Sequence, residues 1–172
     1  MIELVSHSAE QTRAIAAGVA TLARAGDLIV LAGQMGAGKT AFAQGFAREL
    51  GIHEPVTSPT YTLVHSYTGG STTLHHADLY RLEHTAEVDD LALAELLEDD
   101  AIVLVEWGDV VDLGPHLHIE LRLADDPLDG SDASDGSDVD VDQREICITS
   151  SDKRWLPRWE RLEAAVEEWT VS

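Results

Sequence analysis

The sequence predicts an α/β fold, a three-layer sandwich with a mostly parallel central sheet and an added β-hairpin, on three observations. Leu28-Ile29-Val30-Leu31-Ala32 is a short apolar run with β-branched residues, followed by a glycine-rich turn and a helical stretch that Gly51 stops. Ala101-Ile102-Val103-Leu104-Val105 is the most apolar run in the chain and reads as a central strand. Two polar and apolar alternations about Thr68-Gly69-Gly70-Ser71 carry a hairpin signature.

Taken in order, residues 2–5 form a candidate first strand. Ser8-Ala9-Glu10-Gln11 then reads as a capping box opening a helix to about Ala25, with Ala14, Ile15, Val19 and Leu22 as its apolar stripe. The buried strand 28–32 leads into Gly33-Gln34-Met35-Gly36-Ala37-Gly38-Lys39-Thr40, which fits G-x-x-x-x-G-K-[ST] without a mismatch. A strand, a glycine loop and a helix start gather backbone N–H groups around one point, where the helix dipole also favours anions. That is a P-loop, and it makes the expected fold that of a P-loop NTPase. Lys39 is expected to bridge the outer phosphates of a nucleotide and the Thr40 hydroxyl to hold Mg²⁺. The chain has nine Arg and two Lys, so a lysine at this position fits a demand for a compact ammonium.

Beyond Gly51, Pro55-Val56-Thr57-Ser58-Pro59-Thr60 predicts a fixed, extended loop. The segment after the first P-loop helix often passes over the γ-phosphate, so Thr57, Ser58 or Thr60 are candidates to touch nucleotide or metal; an ordinary proline turn is the alternative. Residues 62–67 and 72–77 form the hairpin, whose second strand runs into Asp78, a candidate to orient water or reach the metal indirectly. His75 and His76 face opposite sides of an alternating strand, which argues against zinc and for packed or surface imidazoles. Residues 87–97 read as a helix, with Val88 and Leu91 on its apolar side. The strand 101–105 then delivers Glu106 to the position of a Mg²⁺-shell carboxylate.

Residues 116–123 alternate as a strand, with 144–149 as the hairpin partner. The stretch 124–143 between them is rich in Asp, Gly and Ser and holds too little apolar surface to offset its ordering entropy, so a mobile acidic loop is expected. An EF-hand reading of it fails, because Ser131 and Ala133 would fall at ligand positions. Residues 155–169 predict a closing amphipathic helix with Trp159, Leu162, Val166 and Trp169 as anchors.

The 172 residues suit one domain, 1–172. No 18-residue apolar run occurs, residues 1–5 do not read as a signal peptide, and the single Cys147 fits a reducing compartment, so a cytoplasmic protein with no membrane contact is expected. The formal net charge of −21 repels nucleic acid at long range, so any RNA contact is expected to be local or made through a partner.

Four blocks together resemble the TsaE/YjeE family, the small bacterial ATPases of tRNA threonylcarbamoyladenosine synthesis. They are residues 31–40, Ser58-Pro59-Thr60-Tyr61-Thr62-Leu63-Val64, His76-Ala77-Asp78-Leu79-Tyr80-Arg81-Leu82 and Leu104-Val105-Glu106-Trp107, in matching order from about residue 8 to 123. Met35, Ala41 and Ala77 depart from the usual pattern as packing changes, and the acidic insert is longer than the family's. The resemblance implies an ATP- and Mg²⁺-dependent ATPase that docks on the two-subunit synthase of the modified adenosine and resets it, meeting tRNA only indirectly. On the matching positions it implies phosphate contacts at residues 33–40, Mg²⁺ at Thr40 and Glu106 with no other metal, and water positioned by Asp78. It also implies a first switch at Ser58 and Thr60, Trp107 packed beside the site, and Arg144 near the nucleotide.

Two other classes stay open. A small-molecule P-loop kinase would need a basic lid, and the longest loop here is acidic. A nucleotide-gated binding module with little hydrolysis would carry the same motifs. A guanine-nucleotide switch needs an Asn-Lys-x-Asp base reader, and the chain has no Asn.

Overall fold

The computed structural model describes residues 1–59, 63–70, 72–80, 93–98, 100–108, 112–124 and 142–171. The elements are β1 (Ile2–Ser6), α1 (Ala9–Ala20), β2 (Leu28–Ala32), α2 (Lys39–Glu49), β3 (Val64–Gly69), β4 (Thr72–Asp78), α3 (Leu93–Glu98), β5 (Ala101–Glu106), β6 (Leu117–Leu123), β7 (Arg144–Ser150) and α4 (Trp159–Val166). Seven strands form one sheet in the order β1-β7-β6-β2-β5-β4-β3. The central four, β6, β2, β5 and β4, pair in parallel. The β3/β4 hairpin adds an antiparallel strand at one edge, and β7 with β1 adds two at the other.

The period of two along β2 decides the layers. Ile29 and Leu31 face a core built from α1, α2 and the C-terminal segment, including Ile15, Phe42, Phe46, Trp155 and Leu162. Leu28 faces the opposite side with Val103 and Val105, against which Leu96 and Leu97 of α3 pack. The sheet is therefore covered on both faces, and β2 and β5 are buried at every residue, as near-continuous apolar runs require. Full burial of a side chain such as Phe42 or Phe46 contributes about 1.5–3 kcal/mol. Where α1 crosses α2, a Cβ on Gly45 would stand 2.3 Å from the Arg13 carbonyl oxygen, so only glycine allows this approach.

Several boundaries differ from the sequence expectation. Helix α1 begins at the Ser8 cap, whose side chain accepts from the Gln11 N–H, but the Gln11 carboxamide accepts from His7 N–H instead of closing the box on Ser8. It ends at Ala20, not near Ala25, because Leu22 and Ala23 tighten into i→i−3 bonds and the chain turns through Gly26 (φ 86°) to enter β2. Ala14 is exposed; Thr12, Ala16 and Ala20 occupy the buried stripe with Ile15 and Val19.

In place of the single closing helix expected, the chain ends in three short helical segments. Lys153–Arg158 is a 3₁₀ helix containing Pro157, α4 follows, and Glu167–Trp169 is again 3₁₀. Pro157 has no N–H to donate, and the Asp152 side chain caps the tight turn through Arg154 N–H. Trp155, absent from the expected anchors, is fully buried, whereas Trp159 and Trp169 are half-buried. The hairpin turn is shorter than expected, since Gly69 already pairs with Thr72. Residues 87–92 of the expected helix, with Val88 and Leu91, lie outside the described residues, as does the acidic stretch 125–141.

Candidate functional site

The site forms where the parallel strands end. From Ala32 the chain enters Gly33 at φ 125°, where a Cβ would stand 2.0 Å from the Leu121 carbonyl oxygen. Gly38 caps α2 at φ 106° and offers no side chain, so the first helical N–H groups are left open to an outside acceptor. Lys39, the first helical residue, folds back over the loop. Its Nζ donates to the carbonyl oxygens of Gly33 (2.5 Å) and Gln34 (2.8 Å) and lies 3.9 Å from the Trp107 ring centroid.

Two carboxylates line the same cleft as this ammonium, from neighbouring strand ends. Asp78 closes β4 and Glu106 closes β5, and the two are register partners in a parallel pair, which sends both side chains to one face. Each is about 3% exposed. Buried carboxylates need donors. Asp78 accepts from Ser58 Oγ (2.7 Å) and Tyr80 N–H (2.9 Å), while Glu106 Oε1 accepts from His76 Nε2 (2.9 Å). Past Glu106 the backbone turns through Trp107 at φ 60°, pinned by Trp107 N–H to the Leu31 carbonyl oxygen (3.0 Å). The turn lays the indole over Lys39 and against Tyr80, with ring centroids 5.0 Å apart.

These groups enclose a cleft of about 350 Å³ lined by Met35, Gly36, Gly38, Lys39, Thr40, Ser58, Asp78, Tyr80, Glu106 and Trp107. Hollows of about 530 Å³ beside Met1 and Glu163, and about 600 Å³ between Arg13 and Arg48, are larger but have neither a glycine loop nor paired buried carboxylates. Among the expected residues, Gly33 and Gln34 contribute carbonyls to Lys39, and Ala37 is wholly buried beneath the loop. Arg144, at the start of β7, stands behind Gly38, with its Nε 3.9 Å from where a Cβ there would lie. Thr60 lies outside the described residues, and Thr57 is exposed.

Two cleft neighbours were not expected as site residues. Tyr80 packs against Trp107 with the ring planes tilted by 47°, and His76, fully buried, holds Glu106. The alternation of β4 already puts His76 on the side of Asp78. Only the pairing of β4 with β5, 30 residues apart, brings it to Glu106.

Among the described residues, no three His, Cys, Asp or Glu side chains gather into a group that could hold a metal ion. The donor set at the cleft is a hydroxyl and one or two carboxylates. That suits Mg²⁺, which keeps waters and takes substrate phosphates, better than a metal needing a protein cage.

Fold and loop together define a P-loop α/β protein. The chain belongs to the TsaE family: the family model described as threonylcarbamoyl adenosine biosynthesis protein TsaE matches residues 6–131. The tRNA threonylcarbamoyladenosine biosynthesis protein TsaE of Bacillus subtilis is 37% identical over 156 residues, spanning 89% of this chain and 88% of the relative. The Streptomyces coelicolor protein of the same name is 39% identical over 142 residues, 80% of this chain and 88% of its own. The crystal structure of Bacillus subtilis YdiB superposes with a TM-score of 0.74 at 30% identity, covering 95% of this chain and 97% of that one. No helix among the described residues is long and apolar enough to cross a membrane.

Proposed function

We propose that this chain, as one cytoplasmic domain, is a Mg²⁺-dependent ATPase of tRNA threonylcarbamoyladenosine biosynthesis, and that it binds and resets the two-subunit synthase. The relatives' names support the pathway. The observation that carries the ATPase reading is the convergence on one cleft of the P-loop, the Lys39 ammonium and the buried pair Asp78 and Glu106. In this reading the loop N–H groups of residues 33–40 cradle the phosphates and Lys39 exchanges the Gly33 and Gln34 carbonyls for phosphate oxygens. Thr40 and Glu106 hold Mg²⁺, which supplies charge neutralisation at the phosphates.

Asp78, fixed by donors on both oxygens, orients the attacking water and accepts its proton through a hydrogen bond. Ser58, with Thr60, couples the loop after α2 to that carboxylate, so nucleotide state changes the surface presented to the synthase. Trp107 covers Lys39, and Arg144 supports the loop from behind. A chain of net charge −21 gains little from counterion release, so tRNA is met through the synthase.

The direct test is steady-state ATP hydrolysis by Glu106→Gln with synthase present. A folded variant that has lost Mg²⁺-dependent turnover supports the reading, and wild-type turnover removes Glu106 from the metal.

A further inference from the structure

We propose that His76 is the positioning residue of the metal site, fixing the Glu106 carboxylate so that one of its oxygens is committed to the protein and the other is presented to the metal. The inference rests on the reading of Glu106 as a Mg²⁺ ligand. His76 is 0% exposed, and its Nε2 lies 2.9 Å from Glu106 Oε1. A carboxylate can only accept there, so Nε2 carries the proton and donates. Nδ1 has no hydrogen-bond partner among the described residues, so the ring has a single polar attachment, to Glu106.

A buried imidazole with one unmet acceptor is costly for mere packing, and an apolar side chain would fill the space more cheaply. Its position is set by the sheet and not by a loop. His76 pairs with Leu104 and Asp78 with Glu106 in the same parallel ladder, so the donor stands two residues behind the carboxylate it holds. Glu106 also lines the cleft, so with Oε1 taken by His76 its second oxygen is left for the cleft. Partners that orient metal ligands act through metal affinity, commonly by 10–100-fold.

The experiment titrates Mn²⁺ by electron paramagnetic resonance into the protein with a non-hydrolysable ATP analogue, and measures ADP binding separately in EDTA. His76→Leu is expected to weaken Mn²⁺ binding at least about tenfold while leaving metal-free ADP binding within about twofold. His76→Gln, whose Nε2 reaches the same place, is expected to restore most of the affinity, and His76→Asn, one bond shorter, is not. A folded His76→Leu with wild-type Mn²⁺ affinity overturns the proposal.

Glu106→Gln separates the two levels. If it binds Mn²⁺ as the wild type does, the ligand reading fails. If it is weakened and His76→Leu is not, only the role of His76 fails. Should His76→Leu not fold, ¹⁵N NMR of the wild type decides: the His76 Nε2 resonance must shift when Mg²⁺ joins the nucleotide complex, and an unmoved resonance overturns the proposal equally.

Discussion

The hydroxyl of Ser58 donates a 2.7 Å hydrogen bond to Oδ2 of Asp78, tying the loop after α2 to the end of β4. Tyr80 N–H occupies Oδ1 at 2.9 Å, and Asp78 N–H itself donates to the Leu63 carbonyl oxygen at 3.0 Å. Two hydrogen bonds therefore fix the carboxylate, and a third anchors the backbone that carries it. If that carboxylate aims a water, loosening it should slow turnover before it weakens binding.

Ser58→Ala removes a hydrogen bond to a charged group, worth about 1.5–3 kcal/mol, and should lower kcat roughly tenfold or more while nucleotide affinity stays near that of the wild type. Asp78→Asn should show the same split more strongly. Calorimetric nucleotide titration alongside single-turnover hydrolysis checks both. A loss of binding in either variant would make Asp78 a binding group instead.

The C-terminal segment is predicted to act on stability and not on chemistry. Arg158, 4% exposed, donates to both oxygens of Asp27 (2.6 and 3.0 Å) and to the Leu22 carbonyl oxygen, and lies 4.1 Å over the Trp155 ring. Removing one partner of such a buried pair costs about 3–5 kcal/mol, since it strands the other charge. Arg158→Ala should lower the unfolding free energy, read from urea denaturation, by that amount. Asp27→Asn with Arg158→Met should recover much of it, because the stranded charge is gone.

Acid should release a second clasp of the same segment. Burial pushes the Asp152 carboxyl up, but the Arg154 guanidinium and backbone N–H outweigh it and hold the group below the usual range. A depressed folded value means the contribution is fully present above the unfolded value near 3.8 and is lost as pH falls through the lower folded one. Stability of Asp152→Asn should therefore fall less steeply than that of the wild type below about pH 4, measured by urea unfolding.

The P-loop, its strand, its helix and both carboxylates were legible in the sequence because each depends on local residue type and spacing. What was not legible depends on distant pairing. His76 reaches Glu106 through β4 lying beside β5, and Trp107 covers Lys39 through a left-handed backbone turn that no spacing rule signals. The C-terminal helix misled for a related reason. Its amphipathic stripe was real at Leu162 and Val166, but Pro157 and the reach of Arg158 to Asp27 make its first turns 3₁₀ and hand the deepest burial to Trp155.

The central claim is that this P-loop protein serves threonylcarbamoyladenosine synthesis through nucleotide binding at Lys39. The measurement that meets it most directly is mass spectrometry of digested tRNA from cells depleted of the protein and then rescued. Depletion should lower threonylcarbamoyladenosine in tRNAs that read codons starting with A. The wild-type chain should restore it, and Lys39→Ala, expressed to the same level, should not. Full modification after depletion, or full rescue by Lys39→Ala, would contradict the account.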